Sequence, residues 1–175
     1  VYCYISERRG KTKMAILADT HLHSSFSGDS DTPMEDMILK GIEKGLKIMT
    51  FTEHMDYGYP VSETAPEGYF EVNVDSYLFD LPRYRAKYEG QIKLNFGIEL
   101  GLQPEVVRQN LMLVKNHEFD FIIASSHLCH GQDPYYPSYY EGRSKKEALT
   151  EYFESVLENL KVFSNFDVYG HLDYI

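Results

Sequence analysis

Two hydrophobic periods alternate along the chain. Short apolar runs typical of strands occupy five segments, at residues 14–23, 46–54, 92–101, 119–127 and 166–174. Between them, apolar residues recur at the three- and four-residue spacing of helices, in segments 34–46, 74–89, 105–116 and 144–160. Five strands separated by helices predict an α/β domain with a parallel sheet, either a barrel or a doubly wound sheet. The glycine signatures of phosphate loops and dinucleotide-binding turns are absent from the sequence, which favours the barrel.

Local signals predict where two of the helices begin. Thr32 is the expected N-cap of the first helix, with Pro33 as its first residue and Glu35 as the acid of a capping box. Ser144 and Glu147 form a second capping box, which opens the last helix.

Two further expectations concern helix interiors. Pro82 removes a backbone donor from the 74–89 segment and is expected to kink or split that helix. The last helix is expected to bury one apolar stripe, made of Leu149, Tyr152, Phe153, Val156, Leu157 and Leu160.

The composition limits the classes of partner. The chain has 175 residues, of which 43% are hydrophobic, and it carries 27 acidic against 17 basic residues, a net charge of −10. Because nucleic acids are bound by clustered Lys and Arg, we expect no nucleic-acid partner. No stretch approaches the ~20 apolar residues of a membrane helix, and no signal-peptide core opens the sequence. Cys3 and Cys129 have no paired spacing, so we expect a cytoplasmic protein without membrane contact.

Every predicted strand ends in a residue that can bind a metal ion. The six residues are His21, His23, His54, Glu99, His127 and His171. Side chains alternate along a strand, and Glu99 lies on the face opposite the apolar Phe96 and Ile98. Because parallel barrels place their active sites at the carboxyl ends of the strands, we expect these side chains to point inward and to converge.

The pattern favours a metal centre over coincidence. A single histidine at a strand end is more often a hydrogen-bonded structural residue, and His117, in a helix-exit turn, is interpreted in that way. Six such residues at five consecutive strand ends are harder to explain structurally. Imidazoles and carboxylates without thiolates suit Zn, Mn or Fe. Glu99 is the only central carboxylate, and a carboxylate that bridges two ions serves the hydrolysis of phosphate esters.

Five short motifs occur in order at these strand ends. They are DTHLHSSFSGDS, FTEH, GIELG, SSH and YGHLD. Together they resemble the polymerase and histidinol phosphatase (PHP) family, and the loops HGQDPYYP and EGRSKKEA resemble its histidinol-phosphate phosphatase branch. The resemblance covers Met14 to Ile175 and implies a distorted (β/α)7 TIM-like barrel that holds three divalent ions.

The resemblance also implies which residues bind each ion. The first ion would be held by His21, His23 and Glu99, the second by Glu99, His127 and His171, and the third by Asp29 and His54. Asp31 is the alternative to Asp29, since the two acids are close in sequence. The family's last motif, an Asp-x-His on a late strand, has no counterpart after His171 in this sequence.

A phosphate monoester requires a cation in addition to the metal ions. Arg143 lies in the loop after the fourth strand, beside a helix amino terminus, and can bind phosphate through two N–H groups. The alternative is a solvated loop arginine. His130 and Asp133 lie in the same loop, and we interpret them as catalytic candidates, either as the general acid or as groups that orient other side chains.

These residues predict a metal-dependent phosphomonoesterase with two to three divalent ions and a small phosphorylated substrate. By resemblance, it hydrolyses L-histidinol phosphate in histidine biosynthesis, with no nucleophilic Ser or Cys. The alternatives are a PHP phosphoesterase for a nucleotide, an oligonucleotide or a phosphotyrosyl protein, an amidohydrolase barrel, and a non-catalytic metal-binding barrel. Turnover of a generic aryl phosphate separates the last from the enzymes.

The ends of the chain carry two further expectations. Residues 1–13 show no clear periodicity, and we expect a disordered upstream or expression-derived leader before a PHP barrel domain at residues 14–175. A barrel needs more than five strands to close, so we expect truncation after the fifth strand. Judged from the ~250-residue size of such barrels, roughly 80 to 110 residues with the Asp-x-His motif would follow.

Overall fold

The computed structural model describes residues 16–175, so the predicted leader at residues 1–13 lies outside the described residues. Five parallel strands pair in chain order, as predicted. The strands are β1 (Ala18–Leu22), β2 (Ile48–Met55), β3 (Lys93–Gly101), β4 (Phe121–Ser125) and β5 (Val168–Tyr169). The helices are α1 (Met34–Glu43), α2 (Val74–Lys87), α3 (Val107–Asn116) and α4 (Lys145–Val162), with short 3-10 helices at Pro104–Val106 and Pro137–Tyr140.

The two central strands, β2 and β3, separate an apolar face from a polar one. Phe96 and Ile98 of β3 are buried among the helices, and the ring of Phe96 lies 4.7 Å from the ring of Tyr77 in α2. On the opposite face, His54 of β2 pairs directly with Glu99 of β3. The alternation predicted from the sequence is therefore confirmed for both strands.

The sheet curls into half of a barrel, with the helices on its outer side. Because all five strands are parallel, their carboxyl ends lie along one edge of the sheet. The chain segments that leave this edge are the loops after β1, β2, β3 and β4, together with the residues after β5. Among the helices of residues 16–175, none has the length and apolarity needed to cross a membrane.

Of the two predicted capping boxes, the one at α4 is confirmed and the one at α1 is wrong. α4 begins with the expected capping box, in which Ser144 and Glu147 exchange hydrogen bonds with each other's backbone. The capping box predicted for α1 is wrong, because α1 begins after Pro33 without a side-chain cap. The carboxylate of Glu35 is used elsewhere, since it accepts a hydrogen bond from Tyr88 Oη at 2.5 Å. A tertiary contact thus competes successfully with the local one.

α2 runs without interruption through Pro82, so this proline does not split the helix. Pro82 is exposed, and water can solvate the carbonyl that loses its donor. The opposite side of the helix is fixed in the core by Tyr77 and Leu81, which are buried.

α4 buries Tyr152 and Val156 of the predicted stripe, but its buried face is rotated away from the rest of that stripe. Phe153 and Leu157 of the predicted stripe are 44% and 55% exposed. Asn159 is buried instead, because its Nδ2 donates hydrogen bonds to the Leu102 carbonyl at 3.0 Å and to Ser126 Oγ at 2.7 Å. The buried side of the helix consists of Ala148, Tyr152, Ser155, Val156 and Asn159. The hydrogen bonds of Asn159 to the loops after β3 and β4 favour burial of this face. The spacing of apolar residues does not reveal such bonds.

Candidate metal centre

The ligand-type side chains meet where the strands end. Glu99 of β3 is fully buried and occupies the middle of the group. Five imidazole nitrogens surround its carboxylate. Oε1 lies 3.0 Å from His171 Nε2, 3.2 Å from His127 Nε2 and 3.7 Å from His21 Nε2. Oε2 lies 3.0 Å from His23 Nε2 and 3.6 Å from His54 Nδ1. The structure thus brings together all six residues that the strand ends suggested.

Register and hydrogen bonds hold these side chains in place. The pairing of His54 with Glu99 across β2 and β3 sets both on the inner face. His21 Nδ1 lies 2.9 Å from Thr52 Oγ1, which leaves Nε2 to face Glu99. Ser125 Oγ, at the end of β4, donates a hydrogen bond to Glu99 Oε1 at 2.7 Å.

Asp29 joins this group from the loop after β1. Its Oδ2 lies 3.0 Å from His23 Nδ1 and 3.5 Å from His54 Nε2. Both Asp29 and Asp31 are exposed, but of these two acids only Asp29 forms ion pairs with histidines among the described residues. The geometry therefore favours Asp29 over Asp31 as the loop acid that faces the histidines.

Unsatisfied buried atoms show that the group suits a cation. His23 Nε2, His171 Nδ1 and Glu99 Oε2 are buried and have no hydrogen-bond partner. His23 Nε2 and Glu99 Oε2 are 3.0 Å apart, yet they do not form a hydrogen bond with each other. Buried polar atoms are otherwise almost always paired, so these free lone pairs fit a metal ion bound among them.

The electrostatics of the group couple buried, ionised carboxylates to imidazoles that hold protons. Burial alone would raise the pKa of Glu99, but the imidazoles of His127, His171 and His23 hold it well below its usual range. Burial alone would lower the pKa of His127, but Asp56 and Glu99 raise it to about 10. The carboxylate at the centre is therefore ionised, and protons are held by imidazoles around it.

The sequence analysis missed Asp56, which belongs to this centre. Asp56 is buried and accepts a hydrogen bond from His127 Nδ1 at 2.7 Å, while its other oxygen lies 2.8 Å from His54 Nδ1. The two atoms of the His54 contact are close enough for an ion pair, although His54 Nδ1 has no assigned hydrogen-bond partner. Gly101 makes room for this carboxylate, since a Cβ there would lie 1.7 Å from Asp56 Oδ1. Alternation could have found Asp56, which is two residues beyond His54.

Three overlapping sets of side chains could each hold an ion, because their ligand atoms lie within 4.8 Å of one another. The sets are His21, Glu99 and His171; His23, His54 and Glu99; and His54, Asp56 and His127. They divide the histidines differently from the assignment that the resemblance implied. In both divisions Glu99 is shared between two ions.

Asp133 lies at the rim of the centre. Both of its oxygens accept hydrogen bonds from tyrosines, Oδ2 from Tyr59 and Oδ1 from Tyr174 at 3.1 Å. The ring of Tyr174 lies 5.3 Å from the ring of His127 and 5.4 Å from that of His171. Asp133 thus connects the loops after β2, β4 and β5 beside the histidines.

His130 and Arg143 interact with α4 rather than with the histidine group. His130 lies with Nδ1 3.4 Å from Glu151 and Nε2 3.3 Å from Glu158, and its backbone has the left-handed φ of 48°. Arg143 Nε donates to Glu151 Oε2 at 2.7 Å, and its Nη2 donates to Gln132 Oε1 at 2.8 Å. Arg143 already neutralises Glu151, which disfavours a second metal site there.

Comparison with curated proteins finds two histidinol-phosphatases. The chain is 36% identical over 157 residues to a Clostridium acetobutylicum protein named "Probable histidinol-phosphatase", and 31% identical over 158 residues to the histidinol-phosphatase of Lactococcus lactis. Each match covers 90% of this chain, which spans 57% and 56% of the length of these relatives.

Solved structures resemble the chain in fold. A histidinol phosphate phosphatase from Lactococcus lactis, crystallised with zinc, L-histidinol and phosphate, matches with a TM-score of 0.82 and 30% identity over 90% of this chain and 58% of that one. A structure from Listeria monocytogenes matches with a TM-score of 0.74 and 17% identity over 90% of this chain and 67% of that one, and it supports the fold alone.

The family comparison covers nearly all of the described residues. The PHP domain family matches residues 19–175. This range includes β1 to β5 and every residue of the histidine group. The match confirms the resemblance inferred from the five sequence motifs and decides against the amidohydrolase alternative. The chain belongs to the PHP domain family.

Proposed function

We propose that this chain carries the metal centre of a phosphomonoesterase that hydrolyses L-histidinol phosphate to L-histidinol and phosphate. The observation that carries the proposal is the buried Glu99 carboxylate, surrounded by five imidazoles at the carboxyl edge of a parallel sheet. Two relatives named histidinol-phosphatase support the choice of substrate. We also propose a cytoplasmic location and no nucleic-acid partner, as inferred from the sequence.

The proposed centre holds two to three divalent ions of Zn, Mn or Fe, and the zinc in the Lactococcus lactis structure supports zinc among them. The proposed ligands are His21, His23, Asp29, His54, Glu99, His127 and His171. When bound, such ions stabilise charge on a phosphoryl group and lower the pKa of a water molecule. Glu99 stays ionised at neutral pH, because neighbouring imidazoles hold its pKa well below its usual range against the effect of burial.

The serines near the centre have structural roles, which supports a mechanism without a nucleophilic serine. Ser24 Oγ and Ser27 Oγ each donate to the carboxylate of Glu53 at 2.6 Å. Ser126 Oγ lies 2.5 Å from Tyr169 Oη. Each hydroxyl is thus engaged in the scaffold around the site.

Substrate recognition is proposed to involve the loop after β4. Arg143 would bind the phosphate group, which would compete with Glu151 for the guanidinium. Two tyrosine hydroxyls donate to Asp133, and this supports a role for Asp133 in orienting the rim rather than in donating a proton. His130 remains a candidate for proton transfer, because it lies in the same loop.

A phosphate-release screen tests the proposal. A full-length version of the protein, with its metal content measured, is incubated with L-histidinol phosphate, nucleotides, sugar phosphates and an aryl phosphate. We expect the highest kcat/KM for L-histidinol phosphate and loss of turnover in Glu99→Gln. Preference for a nucleotide would indicate another PHP phosphoesterase, and absence of turnover on every ester would indicate a non-catalytic metal-binding barrel.

A further inference from the structure

Glu53 is a buried acid that takes no part in the histidine group. It precedes His54 in β2, and its side chain therefore points to the opposite face of the strand. The residue is fully buried, with 0% of its surface exposed. An ionised carboxylate in such a place is costly unless it is fully hydrogen-bonded, so its partners indicate its role.

All of the hydrogen bonds to the Glu53 carboxylate come from the loop after β1. Ser24 Oγ donates to Oε1 at 2.6 Å, and Ser27 Oγ donates to Oε2 at 2.6 Å. The backbone N–H of Ser24 lies between the two oxygens, at 3.2 Å and 3.0 Å. Because donors approach both oxygens, the site requires a group with two acceptors, which a glutamine amide does not provide.

The loop held in this way is the one that brings Asp29 to the histidines. Ser24 follows His23 directly, and Asp29 lies two residues beyond Ser27. The segment is folded by hydrogen bonds from Ser27 N to the Ser24 carbonyl at 2.9 Å and from Ser30 N to the Ser27 carbonyl at 3.2 Å. Fixing the two serines therefore fixes the position from which the Asp29 side chain extends.

Ser27 also connects this loop to the strand that carries His54. Its Oγ accepts a hydrogen bond from the His54 N–H at 3.0 Å while it donates to Glu53. Asp29 and His54 come from different elements, and their facing atoms, Oδ2 and Nε2, are 3.5 Å apart. The contacts of Ser27 with Glu53 and His54 therefore tie the loop that carries Asp29 to the strand that carries His54.

We propose that Glu53 is a positioning residue for the ion that Asp29 and His54 would share. By holding Ser24 and Ser27, it sets the distance between the loop acid and the strand imidazole. The inference rests on the proposed metal centre. It adds that the occupancy of one ion depends on a carboxylate that does not touch it.

The test compares metal binding by the full chain and by Glu53→Gln. Zinc stoichiometry and the dissociation constant of each ion are measured by competition with a chromophoric chelator. Loss of an outer partner of a metal ligand lowers affinity by about 10- to 100-fold, and we expect a loss of this size for one ion only. Added zinc should restore the missing ion and turnover with it. Glu118→Gln, an exposed acid at the end of α3, is the matched control and should bind as the wild type.

A milder variant covers the case in which Glu53→Gln does not fold. Ser27→Ala removes one donor to Glu53 and the acceptor for His54, and should weaken the same single ion. Unchanged affinity for all ions in either folded variant would overturn the inference. So would an equal loss of every ion, because that indicates general destabilisation. A wild-type chain that binds no metal would refute the proposed function itself.

Discussion

Replacing Asp56 by Asn tests whether this acid orients the histidines of the centre. Asp56 accepts a 2.7 Å hydrogen bond from His127 Nδ1, and both side chains are buried. This bond leaves Nε2 of His127 facing Glu99 at 3.2 Å. An asparagine has the same size, but it has lost the charge and offers one acceptor instead of two.

Two effects of this change oppose each other. Loss of a carboxylate partner to a ligand histidine weakens metal binding by about 10- to 100-fold, or about 1.4 to 2.7 kcal/mol. In the metal-free protein, however, Asp56 and Glu99 raise the pKa of His127 to about 10 against the effect of burial, so a proton competes with the metal at neutral pH. Asp56→Asn lowers this pKa and relieves the competition. We therefore expect the effect of Asp56→Asn on zinc affinity to be more unfavourable at pH 8.5 than at pH 6.5.

The assay is chelator competition for zinc at the two pH values, with Asp75→Asn as the control. Asp75 is exposed in the first turn of α2. The Asp75→Asn variant should therefore bind zinc with the affinity of the wild type. Equal affinity of wild type and Asp56→Asn at both pH values would refute the orienting role. A loss that shrinks as the pH rises would refute the assigned protonation of His127.

Three further predictions concern the rest of the site. Elemental analysis of a full-length version of the protein should give two to three ions, and Glu99→Gln should lose the most metal, because Glu99 belongs to two of the candidate ligand sets; retention of all ions would contradict this. Arg143→Ala should lower kcat/KM for L-histidinol phosphate about 10- to 150-fold, which corresponds to about 1.5 to 3 kcal/mol, with metal content unchanged. An unchanged kcat/KM would indicate a solvated loop arginine that does not bind the substrate. The hydrogen bond to Glu158 raises the pKa of His130 above 6.5, burial opposes the rise and Glu151 adds to it. The stability from this contact should be complete below pH 6.5 and lost as the pH rises through the raised pKa, and NMR titration should show a lower His130 pKa in Glu158→Gln.

The strands and the candidate ligands at their ends were predictable because both follow from short-range patterns. Alternation set Glu99 opposite Phe96 and Ile98, and the structure confirms this face. The parallel order then required the strand ends to meet at one edge. Convergence of His21 and His171, which are far apart in sequence, on one carboxylate follows from these two facts.

The missed features depend on contacts between distant segments. Glu35 bonds Tyr88 instead of capping α1, and Asn159 bonds the loops after β3 and β4, which turns α4 away from its apolar stripe. Asp56 follows the end of a strand, where the sequence resembles a polar loop. Its value as a hydrogen-bond acceptor depends on Gly101, which lies in another strand and leaves the space it occupies.

The buried acids at this edge of the sheet are of two kinds. Glu99 and Asp56 face imidazoles, whereas Glu53 faces serines. Burial opposes ionisation of both Glu99 and Asp56, yet His127 and other imidazoles hold their pKa values low, that of Asp56 at about 2. Protonated imidazoles thus balance these acids in the metal-free protein. A metal ion needs neutral imidazoles, so an ion bound by His54 or His127 must displace a proton, and its affinity must fall as the pH falls. Glu53 is balanced by serine hydroxyls and an amide, and burial raises its pKa. None of these hydrogen-bond partners is an imidazole, so metal binding does not change their protonation. Glu53 can therefore hold the loop in the same place whether the centre contains protons or metal ions.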